Sequence, residues 1–95
     1  MNSGLPNIEL LESTHNFPCR YTFKAIGESN DHFVGRVLSA VKASLDESME
    51  PSFSTRATTA GRHICVTIEP DVQNAEHVLS IYRELQQVEG LVMLF

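Results

Sequence analysis

The most constraining feature of this chain is the order in which its apolar periodicity switches. Tyr21 to Ile26 alternates in period 2, as a half-buried strand does. Phe33, Val37, Leu38, Val41 and Leu45 then recur at helical spacing and form one apolar stripe. Two strand-like runs follow, Phe53 to Thr59 and His63 to Glu69, separated by the turn Ala60-Gly61. Val78, Ile81, Tyr82, Leu85 and Val88 make a second helical stripe, and Leu91 to Phe95 is a last apolar run. A chain with this order has few ways to bury both helical stripes, and the simplest is to lay both helices on one face of a sheet.

The order β-α-β-β-α-β predicts an α+β, ferredoxin-like βαββαβ sandwich. Its four-stranded antiparallel sheet is expected in the order 4-1-3-2, with two helices on one face. At 95 residues there is room for one domain. The division expected is a partly flexible lead over residues 1–16 and a single folded domain over 17–95. Within the lead, Ile8 to Ser13 reads as one helical turn or two, docked by Leu10 and Leu11. Tyr21, Phe23 and Ala25 are predicted to face the helices, Ile26 to break the alternation, and Gly27 to end the first strand. Ser29 or Asn30 is placed to cap the first helix, and Asp71 or Asn74 the second. The second strand is rich in Ser and Thr, which suits a sheet edge or a solvated face. Gly90 is expected to stop the second helix.

Composition narrows function mainly by exclusion. Seven basic residues stand against twelve acidic ones, for a net charge of -5. A surface for nucleic acid wants the opposite balance, because neutralising phosphates takes Lys and Arg. A base-stacking sheet also needs exposed aromatics on its central strands, and only His63 qualifies. No apolar segment approaches the ~18 residues of a membrane span, and no basic, then apolar, leader opens the sequence. The expectation is a cytoplasmic protein without membrane or nucleic-acid partners. Cys19 and Cys65 form no CxxC pair and read as reduced, half-buried thiols rather than a disulfide or a metal pair.

Catalytic and metal chemistry find little support. His15, His32, His63 and His77 fall in four different elements without an i, i+4 pair, whereas zinc needs three or four converging ligands. No metal site and no cofactor is predicted. His63 and Cys65 share one strand face, which suits a thiol–imidazole pair, but also two solvent-side residues of an ordinary strand. The loop after the first strand carries no Arg with which to cradle a phosphate. The sequence therefore points away from an enzyme.

Two surfaces remain as candidates. The loop Gly27, Glu28, Ser29, Asn30 and Asp31 precedes the first helix, whose N-terminus offers free N–H groups to a carboxylate or phosphate. The alternative reading of that loop is a strand end followed by caps. The sheet face opposite the helices is predicted to carry Thr22, Lys24, Ile26, His63, Cys65 and Thr67, with parts of the second and fourth strands. A mixed apolar and polar open face is a candidate interface, for a second copy of the chain or for another protein.

Several runs resemble one family. F-P-C-R-Y-T-F-K-A-I-G at Phe17–Gly27 resembles the opening strand of the YbeD-like family of small bacterial proteins. E-L-L-E at Glu9–Glu12 is similar to its lead-in, and G-R-H-I-C-V-T-I at Gly61–Ile68 to its glycine-turned third strand. I-Y-R-E-L at Ile81–Leu85 and the closing V-M-L-F resemble its second helix and last strand. The departure is S-T-R-A-T-T-A-G, where the family often has a Ser-rich stretch ending in Lys-Gly. The resemblance implies a fold close to ACT-type regulatory domains, in which the first strand–helix loop binds small effectors at a dimer interface. It implies no established activity. The function expected is a non-catalytic regulatory or adaptor domain, with a small-molecule effector at Gly27–Asp31, or a protein-interaction module without a ligand.

Overall fold

The computed structural model describes residues 5–58 and 60–95, with the Asp31 side chain left aside. The elements are α1 (Ile8–Thr14), β1 (Cys19–Arg20), β2 (Phe23–Glu28), α2 (Asp31–Lys42), β3 (Ser52–Ala57), β4 (His63–Glu69), β5 (Asp71–Val72), α3 (Ala75–Gln86) and β6 (Leu91–Leu94). Four strands form one antiparallel sheet in the order β3-β4-β2-β6, so the first and third long strands lie at its centre. Among the described residues there are three helices, the two expected on the sheet and one in the lead. The additional one is α1, started by Asn7, whose side chain accepts from the Glu9 and Leu10 N–H groups at 2.7 and 3.3 Å. It docks through the buried Leu11 and the partly buried Ile8, while Leu10 is turned outward.

Asparagine starts the other helices as well. Asn30 accepts from the Phe33 N–H at 2.9 Å and Asn74 from the His77 N–H at 2.8 Å. Each satisfies one of the donors that a first helical turn leaves free. Asn74, rather than Asp71, is therefore the cap of α3. Asp71 instead enters β5, which pairs with β1 (Cys19↔Val72, Arg20↔Asp71). This two-stranded ribbon was not legible in the sequence, because two residues are too few to show a period.

The core lies between α2, α3 and one face of the sheet. Phe23, Phe33, Val37, Val41, Val66, Ile68, Val78, Ile81 and Leu85 are fully enclosed, and among the described residues no polar or charged side chain is buried with them. The strand β2 runs further than expected. Gly27 does not end it but occupies the next inward position after Phe23 and Ala25, and Ile26 keeps the alternation by facing outward. The reason is steric. A Cβ on Gly27 would run into the Phe33 ring and lie 2.6 Å from the Gly90 carbonyl oxygen. Glycine at 27 lets Phe33 pass directly under the strand. α3 ends at Gln86, before Gly90, whose φ of 92° serves the turn into β6. Gly35 has no heavy atom within 4 Å of its would-be Cβ, so it serves no close packing.

Candidate functional site

The two candidate surfaces resolve differently. At the first strand–helix loop three successive backbone N–H groups are engaged. The Glu28 N–H donates to the Gly90 carbonyl at 3.1 Å, Ser29 to the Arg62 carbonyl at 3.2 Å, and Asn30 to the Glu28 carbonyl at 2.9 Å. The Asn30 side chain caps α2, and Gly27 is filled from below by Phe33. The Asp31 side chain lies outside the described residues. Arg36 closes over this end of the molecule, its Nε donating to the Glu89 carbonyl at 3.0 Å. Gly27 to Asn30 thus form a tie between three loops. Three clefts on the surface are lined by other residues.

The open sheet face assembles as a surface. Register places Ile26 opposite Cys65, Lys24 opposite Thr67 and Glu28 opposite His63. Antiparallel partners share a side of the sheet, so Lys24, Ile26, His63, Cys65 and Thr67 stand together. Thr22, just before β2, joins them by donating its hydroxyl to Glu69 Oε2 at 3.2 Å. Met93 sits opposite Ile26, and Phe95 exchanges backbone hydrogen bonds with Lys24 at 3.0 and 2.8 Å. Met93 and Phe95 are 52% and 57% exposed. Together with Ile26 they make an apolar strip along β6, bordered by Lys24 and Cys65. The sequence did not assign these two residues to a side. A run of five apolar residues shows no alternation, and a bulge at Val92, between the partners of Ile26 and Gly27, shifts the register.

His63 and Cys65 occupy successive same-side positions of β4, with Cα atoms ~7 Å apart, and lie opposite different partners. Among the described residues no three of His, Cys, Asp and Glu gather to hold a metal ion. Both cysteines are free and half-buried. His77 is a structural tie: its Nδ1 accepts from the Gln73 N–H at 3.0 Å, which leaves Nε2 to donate to the Ser44 carbonyl at 2.7 Å. It thereby links the end of α2 to the start of α3. Near it, the Ser48 backbone and hydroxyl hold the exposed Asp46 carboxyl below its usual range.

A cleft of about 420 Å³ beside β6 is lined by Leu5, Tyr21, Tyr82 and Leu94, among others. The Tyr21 and Tyr82 hydroxyls share a hydrogen bond of 3.1 Å at its base. Burial, and then this hydrogen bond, push the Tyr82 phenol well above its ordinary value. No helix among the described residues is long and apolar enough to cross a membrane.

The model of the family described as "Protein of unknown function (DUF493)" matches residues 12–95, and the chain belongs to that family. The YbeD-like resemblance of the motifs is therefore a family relationship. A UPF0250 protein of Shewanella oneidensis is 30% identical over 83 residues, covering 87% of this chain and 88% of the relative. One from Shewanella putrefaciens is 29% identical over 76 residues, covering 80% and 84%. Among solved structures, protein HP0495 from H. pylori superposes with a TM-score of 0.70 at 13% identity, over 86% of each chain. The ACT domain from GTP pyrophosphokinase of Chlorobium tepidum superposes with a TM-score of 0.61 at 13% identity, over 80% of this chain and 94% of that one. These likenesses show an ACT-like, ferredoxin-like α+β fold.

Proposed function

We propose that this DUF493 member is a non-catalytic regulatory or adaptor domain that works by contact with another protein through its open sheet face. The observation that carries this reading is the strip of Ile26, Met93 and Phe95 on the one side of the sheet without helices. Large apolar side chains grouped on an exposed face mark interaction surfaces more often than solitary ones do. Lys24, His63, Cys65 and Thr67 supply polar and small neighbours, and mixed composition of this kind suits a partner that binds reversibly. The ACT-like fold supports a regulatory role by analogy. The effector reading of the Gly27–Asp31 loop is weaker, because Asn30 is already used as a cap and Gly27 as a packing site.

The test compares proteins retained by the wild-type domain with those retained by Met93→Asp and Phe95→Ser. Both substitutions lie on exposed positions and leave the core intact. A partner that binds the wild type and is lost from both variants supports the reading. A partner retained equally by all three refutes it. In parallel, a thermal-shift screen of amino acids and nucleotides tests the loop. A ligand at ~100 times its Kd adds ~2.7 kcal/mol, and a saturable rise of that size would favour the effector reading instead.

A further inference from the structure

We infer that the cleft between α3 and β6 binds a small uncharged molecule with an apolar body and a hydrogen-bond acceptor, of the class of neutral carbonyl compounds. Its volume, about 420 Å³, lies within the range of small-molecule sites.

Three parts of the chain wall it. On α3, Tyr82 and Gln86 stand one turn apart and share a face. On β6, Leu91 lies opposite Gly27 and Leu94 opposite Ala25. Both partners are inward positions of β2, and antiparallel partners share a side of the sheet. Leucines three residues apart would face opposite sides of a regular strand. The bulge at Val92 turns both of them toward the helices, and re-aiming side chains beside a site is a common use of bulges. Leu5 and Pro6, ahead of α1, close the third side.

The base is preformed and carries a spare donor. The Tyr82 ring lies edge-on to Phe23, 4.8 Å between centroids, and Tyr21 lies 4.8 Å from Phe23 and 5.1 Å from His15. Tyr82 is only 7% exposed. The two tyrosine hydroxyls share one hydrogen bond of 3.1 Å. Each hydroxyl carries one proton. One proton makes the shared bond, and the other has no acceptor among the described residues. An occupant of the cleft can accept it. Burial keeps the Tyr82 phenol protonated beyond the ordinary range, so its O–H stays intact at neutral pH.

The lining sets the charge of the ligand. The chain has 7 basic and 12 acidic residues, yet none of them lines this cleft. A charged group placed here would lose water without gaining a charged side chain as partner. An apolar body against Leu5, Leu91 and Leu94, with a carbonyl oxygen at the tyrosine hydroxyls, uses both the walls and the free proton. The inference goes beyond the proposed function. Protein contact was assigned to the open face, whereas Leu91, Leu94 and the tyrosines lie on the helix side, and either reading stands if the other fails.

The experiment is an NMR titration of the full chain, with cyclohexyl methyl ketone as the probe and cyclohexanecarboxylate and cyclohexylmethylamine as its charged counterparts. The ketone is expected to give saturable shifts in the amides of Tyr82, Gln86 and residues 91–95. The ring signals of Tyr21 and Tyr82, the chain's two tyrosines, should move with them. Both charged probes are expected to bind the wild type at least about tenfold more weakly. The Tyr21→Phe, Tyr82→Phe double variant keeps both rings and loses the donor, so it should bind the ketone about tenfold more weakly. Its amide spectrum away from the cleft checks that it is folded, and the charged probes test the wild type without it. No saturable ketone shifts, shifts centred on other residues, a charged probe bound as tightly as the ketone, or a folded double variant of unchanged affinity would each overturn the inference.

Discussion

Substituting Gly27 by Ala adds one methyl group at the most crowded point of the sheet. That methyl would meet the Phe33 ring and approach the Gly90 carbonyl oxygen to 2.6 Å. Phe33 is fully enclosed and cannot swing into solvent. The Gly90 oxygen is held by the Glu28 N–H, so moving it lengthens a bond between β2 and the turn before β6. Overpacking of a filled core costs ~1–3 kcal/mol, and a strained backbone hydrogen bond ~1 kcal/mol more. Replacing glycine within a strand returns ~0.5–1 kcal/mol of backbone entropy. The net is a loss of about 2–3 kcal/mol, which lowers the melting midpoint of a domain this small by roughly 10–20 °C. Chemical denaturation of the wild type, Gly27→Ala, Phe33→Leu and the double variant forms the assay. Phe33→Leu removes the atoms that collide, so the pair should be coupled by more than ~0.5 kcal/mol, with Gly27→Ala cheaper when Phe33→Leu is already present. A Gly27→Ala protein within ~0.5 kcal/mol of wild type would refute the packing argument. It would also return Gly27 to the candidate ligand-contact residues.

Further outcomes follow from single contacts. Gly35→Ala, in α2 with open space around it, should gain ~1 kcal/mol of helix stability, seen as a higher midpoint. Asn30→Ala should lose ~1 kcal/mol, whereas Asn30→Ser should restore most of it, as a capping role requires. His77→Ala strands the Gln73 N–H and the Ser44 carbonyl and should cost ~1–3 kcal/mol in denaturant titrations. Because folding raises the Tyr82 pKa, the unfolded chain loses that proton first. The stability tied to Tyr82 is therefore complete below the ordinary phenol value of ~10 and falls as pH rises above it. Tyr82→Phe should flatten that alkaline decline, measured by unfolding at pH values on either side of ~10.

Legibility in the sequence followed segment length and periodicity. The two helical stripes and the alternation of His63 to Glu69 were readable because each spans several repeats of its period. The inward residues Ala75 and Leu79 of α3 were not; Ala75 is too small to stand out, and Leu79 falls beside the stripe rather than on it. Gly27 was misread as a strand end because a glycine packed under an aromatic ring and a glycine that breaks a strand look alike in one dimension. Only the position of Phe33 separates them. The loop candidate is ambiguous for the same reason, since cap and ligand site use the same residue types, and Asn30 serves as the cap. The open face was legible along β2 and β4, where alternation assigns sides, and illegible along β6, where every residue is apolar.

Among the described residues the interior leaves little unsatisfied: the core holds no buried polar or charged side chain, and no buried side-chain N or O lacks a partner. What the fold leaves open lies outside, on the β6 strip of the open face, where Met93 and Phe95 are 52% and 57% exposed. Covering both with a partner removes roughly 200 Å² from water, or ~5 kcal/mol, against an association cost of at least ~4 kcal/mol. The strip alone therefore supports only weak binding, and a tight partner must also engage its polar border. Lys24→Ala should then weaken a partner of this face about tenfold in titration, whereas an unchanged affinity would confine the contact to the strip.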